Sequence, residues 1–183
     1  MNDAGLKIQL DKSEFLHSEV EFLGYIIGAD GIKPNQNKIE TINKFPEPKS
    51  IKEIRSFLGM MGYYRRFVRD FAKIAKPLTN LLRREGNSNS NKKITLPEDA
   101  RRCFEKLKKV LSSSDILIYP NFNERFIVTT DASNFAIGAV LSQGEVGKDK
   151  PIHFASRTLS KSEERLSVPE KEMLAITHHS ISP

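Results

Sequence analysis

Apolar residues at i, i+3 and i+4 spacing mark the clearest element of this chain. Ile51, Ile54, Phe57, Leu58, Met61 and Tyr64 make one buried helical face, opened by the capping-box pattern SIKE at residues 50–53. Upstream, LKIQLD (6–11) alternates, and FLGYII (22–27) is apolar, aromatic and β-branched. With turn chemistry in GADG (28–31), short strands forming a hairpin are expected there. Pro34 and NQN then open a helical stretch through Phe45, which PEPKS (46–50) ends.

The segment RREGNSNSNKK (83–93) is polar and rich in Gly, Asn and Ser, and is the natural domain boundary. Beyond it, TLPE (95–98) reads as a second capping box with Pro97 in the first turn. It opens a helix near 97–111 whose apolar face is Cys103, Phe104, Leu107, Val110 and Leu111. The period then shortens to two. RFIVTTDA, IGAVLSQ and PIHFASRTL predict three successive strands, and SVPE (167–170) caps a final helix running through KEMLAITHH. The expected class is α+β.

Opposite the apolar face of the first long helix, Arg55, Gly59, Gly62, Arg66 and Arg69 follow one another at steps of four, three, four and three. Each mid-helix glycine costs about 1 kcal/mol relative to alanine. Close approach of a sugar-phosphate backbone between flanking arginines would offset that cost, as would a bend between two helices. Charge sharpens the first reading. Residues 1–32 carry 2 Lys/Arg against 6 Asp/Glu (net −4), residues 33–110 carry 20 against 8 (net +12), and residues 111–183 carry 7 against 9 (net −2). A basic middle third suits a polyanion partner, although a solvated basic face has the same composition.

One cysteine, Cys103, excludes a disulfide framework and zinc by Cys/His spacing, and its place on an apolar face makes it core. No stretch is long enough to span a bilayer and the start lacks a signal-peptide pattern, so an intracellular chain, cytoplasmic or nuclear, is expected. His178 and His179 are adjacent with no third ligand at suitable spacing and are expected to be disordered. Nothing in the sequence sets an oligomeric state.

Asp131 sits at the end of the first of the three strands, and Glu172 lies one turn into the last helix. If that helix packs on the sheet, the two carboxylates meet, and a divalent metal is the natural partner for such a pair. A strand-end Asp as turn former and a helical Glu in water are the plainer alternatives.

TTDASNFAIGAVLSQ (129–143) and PIHFASRTLSKSEERLSVPEKEMLAI (151–176) resemble the RNase H domain of gypsy-type LTR retrotransposon Pol polyproteins. Residues 10–82 are similar to the end of the reverse transcriptase palm and the thumb of the same polyprotein. The resemblance implies a palm end with a primer-grip-like hairpin over 1–32, a helical thumb over 33–82, a linker over 83–94, and an RNase H-like α/β domain over 95–183. It implies that Asp131 and Glu172 are the first two nuclease acids, binding Mg²⁺ or Mn²⁺. Phe22, Leu23, Gly24 and Tyr25 become the primer-grip segment. The thumb helix around 57–66, with Arg55, Gly59, Gly62, Arg65, Arg66 and Arg69, would follow a template-primer duplex or RNA/DNA hybrid.

The implied activities are RNA-directed DNA polymerisation and cleavage of the RNA strand of hybrids. Two departures stand against both. The chain holds no Y/F-x-D-D motif for polymerisation, and it ends at ITHHSISP without the later acidic residues of RNase H. A catalytically incomplete fragment is therefore expected, with a sheet of three strands in place of five and one open apolar edge. The alternative is a duplex-binding module without catalysis.

Overall fold

A computed structural model describes residues 9, 13, 15–85, 93–113 and 116–181. Strands β1 (Glu19–Phe22), β2 (Tyr25–Gly28) and β3 (Gly31–Pro34) form an antiparallel meander, one strand more than the expected hairpin. Apart from Gln9, the expected strand at 6–11 lies outside the described residues, as does most of the linker. Helix α1 (Gln36–Asn43) follows, with the Asn35 side chain accepting from the Asn37 amide as N-cap.

Helix α2 (Ile51–Tyr63) begins as its sequence dictates: Ser50 Oγ accepts from the Glu53 amide, and Glu53 accepts from the Lys49 amide. Helices α3 (Phe71–Glu85) and α4 (Glu98–Ser112) complete a bundle. Pro97 stands at the N-cap of α4 with no side-chain cap, so Thr95 does not act as the expected capping residue.

The larger core lies inside this bundle. Phe57 and Phe104 are buried with ring centroids 4.5 Å apart, among Ile51, Ile54, Met61, Leu78, Leu107 and Leu111. Helix α4 thus packs with α1 and α3, ahead of the sheet it was expected to join. Its apolar stripe explains why: Cys103, Phe104 and Leu107 match the facing stripe of α2 and α3 in size and polarity. Burial pushes the Cys103 thiol up to about 11.

Strands β4 (Ile127–Ala132), β5 (Ala136–Gln143) and β6 (Lys150–Thr158) form a second antiparallel sheet in that order, as the alternation predicts. Helix α5 (Val168–Ile181) packs on β4 and β5 through Ala175 and Leu174, which meet Ile137, Leu159 and Ala132. It runs on through His178 and His179, contrary to the expected disorder, because no breaker stands before Pro183.

The two outer strands of this sheet differ. β6 opens with Lys150 and Pro151, and its Ser156 carbonyl accepts a bond from Arg65. β4 reads IVTTDA, with neither Lys nor Pro, and leaves Val128 exposed, as α5 leaves Met173 and Ile176. The open apolar edge expected from the sequence is on β4.

The segment between α4 and β4 bridges β3 and β6, its Ile118 amide donating to the Pro151 carbonyl at 3.0 Å. Ile32 and Leu117 exchange backbone bonds of 2.8 and 2.9 Å, and a Cβ on Gly31 would stand 2.2 Å from the Leu117 carbonyl oxygen. Only glycine admits that approach.

Candidate nucleic-acid interface

Residues 22–25 form a two-residue hairpin turn in which Leu23 (φ +48°) and Gly24 (φ +78°) are both left-handed. That pair of angles is the primed turn that matches strand twist. Gly24 is required twice, since a Cβ there would be conformationally strained and would lie 3.0 Å from Tyr64 Oη. Phe22 and Leu23 project from the turn, 57% and 69% exposed.

Three phenols fasten this turn to the C-terminal end of α2. Tyr63 Oη donates to the Leu23 carbonyl, Tyr64 Oη donates to the Gly24 carbonyl at 3.2 Å, and Tyr25 Oη donates to the Tyr63 carbonyl at 3.2 Å. The Tyr25 ring stacks on Tyr63, with centroids 5.1 Å apart and planes 11° apart, and meets Tyr64 edge-on at 5.8 Å. Burial, followed by the contacts with Tyr63, pushes the Tyr25 phenol up to about 12. Burial likewise pushes the Tyr64 phenol up, so Tyr25 and Tyr64 stay neutral donors at physiological pH. Sequence reasoning assigned Tyr25 to the hairpin and Tyr63 and Tyr64 to the helix. Their mutual bonding spans about 40 positions and leaves no local signal.

The glycine and arginine stripe is only partly continuous. Arg55, Gly59 and Gly62 lie on α2, and a Cβ on either glycine would meet nothing within 4 Å. The helix ends at Tyr63, however, and Arg65 and Arg66 stand in a short 3-10 turn. Arg65 swings to β6, donating to the Ser156 carbonyl, with its guanidinium 5.7 Å from the Phe71 ring centre. Arg66 has a buried Nε without a hydrogen-bond partner and lies close enough to Tyr25 and His153 to influence both. Arg69 is exposed and faces Asp149. The stripe expected along one helix is therefore three positions on α2 followed by a turn that redirects the last arginines.

Asp131 and Glu172 leave the sheet in different directions. Asp131 is in register with Gly138, and the open side of Gly138 is turned to Asp70, just ahead of α3. Their neighbours Ala132 and Ile137, of opposite side-chain parity, pack against α5, which carries Glu172. The two carboxylates thus start from opposite faces of β4. Asp131 Oδ2 has the Lys73 ammonium 3.9 Å away. RNase H-like domains generally use divalent metals. Among the described residues, no three His, Cys, Asp or Glu side chains gather as a metal centre. Asp131 and Glu172 are the residues that would hold such a metal, through the hard carboxylate oxygens it takes. Lys73 and Asp70 escaped the sequence reading. The alternation of IVTTDA, with Val128 and Ala132 on one side and Thr129 and Asp131 on the other, was the available signal.

A unit of four helices and a meander beside a three-stranded sheet with a helix packed on it defines a class. Residues 96–180 match the RNase H-like domain found in reverse transcriptase. Nearly the whole chain aligns with Pol polyproteins. It is 51% identical over 181 residues to the retrovirus-related Pol polyprotein from transposon opus of Drosophila melanogaster, covering 96% of this chain and 18% of that protein. Identity is 42% over 180 residues to the counterpart from transposon gypsy of the same fly, covering 95% of this chain and 17% of that protein. It is 36% over 177 residues to the Transposon Tf2-3 polyprotein of Schizosaccharomyces pombe, covering 96% and 13%.

Among solved structures, the foamy viral protease-reverse transcriptase in complex with dsDNA superposes with a TM-score of 0.78 at 27% identity, covering 94% of this chain and 35% of that one. The same enzyme in complex with RNA/DNA hybrid gives 0.78 at 26%, covering 94% and 23%. Nearly the whole chain is thus similar to one stretch of the retrotransposon Pol polyproteins, and residues 96–180 match an RNase H-like domain. The chain spans less than a fifth of the length of these curated relatives. Among the described residues no helix is long and apolar enough to cross a membrane.

Proposed function

We propose that this stretch holds a nucleic-acid duplex, an RNA/DNA hybrid or template-primer, for a reverse transcriptase with RNase H, and does so without cutting it. The turn at 22–25 serves as the primer grip and α2 as the thumb helix, with residues 1–32 as the palm end, 33–82 as the thumb and 95–183 as the RNase H-like part. Helix α4 travels with the thumb core. Polymerisation and RNA-strand cleavage are activities proposed for the whole polyprotein.

The observation that carries this reading is the union of turn and helix: Tyr63 and Tyr64 bind the Leu23 and Gly24 carbonyls, beside an α2 face where Gly59 and Gly62 are open. An apolar tip at 22–23 and an α2 face left open by two glycines are thereby joined. Arg55 supplies charge on that helix, Arg66 follows it in the 3-10 segment and Arg69 just beyond, and Arg65 ties that segment to β6. The complexes of the foamy viral enzyme with dsDNA and RNA/DNA hybrid support a duplex as ligand.

The test is a labelled RNA/DNA hybrid titrated with the chain at two salt concentrations, with and without Mn²⁺. Binding should weaken steeply with salt, and replacing Arg55, Arg66 and Arg69 by Ala should flatten the slope by about one for each phosphate no longer neutralised. Gly59→Ala is the sharper variant, because it stabilises α2 by about 1 kcal/mol while placing a methyl on the open face the duplex backbone would approach. It should raise Tm and weaken hybrid binding together. Unchanged binding in Gly59→Ala, or Mn²⁺-dependent cutting by the unaltered chain, would refute the reading.

A further inference from the structure

We propose that Arg66 of the 3-10 segment and His153 of β6 form a seat for one backbone phosphate of the duplex, the histidine joining in its protonated form. The inference rests on the duplex-holding reading and extends the grip from α2 to the second sheet.

Neighbouring residues bring the pair together. Arg65 donates to the Ser156 carbonyl, which lays residues 65–67 against β6. Phe67 is buried, meets the Tyr25 ring with centroids 5.7 Å apart, and lines one cleft with Phe154. Arg66 directly precedes Phe67, and His153 directly precedes Phe154. The pair therefore stands beside that cleft, between the turn at 22–25 and the second sheet.

The charge around them suits an anion. Arg66 is half-buried, with its Nε shut off from solvent and without a hydrogen-bond partner, so the guanidinium is held while its terminal nitrogens remain for a ligand. Such a planar fork matches two oxygens of a phosphate. His153 is also half-buried, and among the described residues no carboxylate pairs with it or with Arg66. On the same face of the sheet its partner on β5 is the apolar Leu141, and Arg157, further along β6, is taken by Glu163. Lys150 opens the strand, and the adjoining Asp149 is turned to Ser142 and Gly147. Helix α3 packs on the opposite face, where the Ala72 amide meets Ser156 Oγ.

Burial first, then Arg66 and Arg65, hold the His153 imidazole below the usual histidine range. It is therefore mostly neutral near pH 7. A phosphate that offsets the guanidinium charges would draw a proton onto the ring, and the imidazolium would then donate to a phosphate oxygen beside Arg66. Binding and protonation favour each other, so a lower pH should tighten the grip.

The test is binding of a labelled RNA/DNA hybrid by the full chain near pH 7.5 and near pH 5.5. Linked uptake of one proton allows up to about tenfold per pH unit. The unaltered chain should bind about fivefold or more tighter at the lower pH, with a salt slope steeper by about one. His153→Gln should bind within about twofold at the two pH values, and His153→Lys, charged throughout, should bind tightly at both. An undiminished pH response in His153→Gln overturns the seat. A second measurement needs no nucleic acid: in the free chain, Arg66→Ala should move the His153 titration upward by NMR, and no movement overturns the pairing. Gly59→Ala separates this seat from the reading it rests on. Weaker binding in Gly59→Ala beside a full pH response in His153→Gln means that the seat alone fails. Unchanged binding in Gly59→Ala means that the duplex reading fails, and the seat with it.

Discussion

Phe104→Ala examines the assignment of α4 to the helical core. Phe104 is 1% exposed and its ring lies 4.5 Å from that of the fully buried Phe57, tilted by 54°. Truncating a buried Phe to Ala removes its transfer free energy and leaves a cavity, together about 3–5 kcal/mol. Against a total stability of about 5–15 kcal/mol that is about a fifth or more of the margin. With a urea dependence of about 2 kcal/mol/M, the unfolding midpoint should fall by roughly 1.5–2.5 M. Chemical denaturation followed by circular dichroism measures the shift, and Phe57→Ala alone and with Phe104→Ala completes a cycle. The two losses should fall short of additivity by about 0.5–1.5 kcal/mol, the size of an aromatic pair. Amide protection should fail first in α2 and α3. A midpoint shift under about 0.5 M, full additivity, or early loss of protection in β4–β6 would return α4 to the sheet and refute the packing argument.

The phenol cluster gives a pH signature. Tyr25 ionises near 12 when folded against 10 when free, so its neutral form is favoured by the fold, and that contribution is complete below pH 10 and disappears as pH rises toward 12. Absorbance at 295 nm should show one tyrosine titrating late, and Tyr63→Phe should bring it earlier while weakening hybrid binding; a Tyr25 that titrates near 10 would contradict the stacking. Glu163 makes the opposite case. The bidentate bonds from Arg157, at 2.8 and 2.9 Å, lead the interactions that hold its carboxyl down at about 2. Its contribution is complete above pH 4.5 and is lost as pH falls toward 2. Glu163→Gln should cost about 1 kcal/mol near neutrality and nothing near pH 2, and an equal loss at both pH values would exclude the ion pair as its source.

Local rules carried most of the elements. Ser50 and Glu53 announce α2, the alternation after Phe126 announces three strands, and Asn35 caps α1, because each signal involves groups a few residues apart. What sequence alone did not yield is set by distance. Helix α4 follows the linker and falls within the stretch that matches the RNase H-like domain, and only the shape of the bundle reveals that its stripe shares the larger core with α1, α2 and α3. The arginine stripe failed after Tyr63 for a related reason: nothing local to Tyr64 records that Arg65 has a carbonyl waiting on β6, 91 positions away. At the candidate site, the residue types were legible and their directions were not. Asp131 was singled out as a chemical group, yet the partner that meets it comes from a helix whose approach depends on a left-handed Asp70 and a bare Gly138.

The unequal edges of the second sheet carry a consequence for assembly. Unpaired strands recruit other strands, and among the described residues one border is closed by Lys150, Pro151 and Arg65 while IVTTDA has no strand beside it. A strand that joins this sheet, from elsewhere in a longer chain or from a second copy, therefore enters at β4 and leaves β6 as it is.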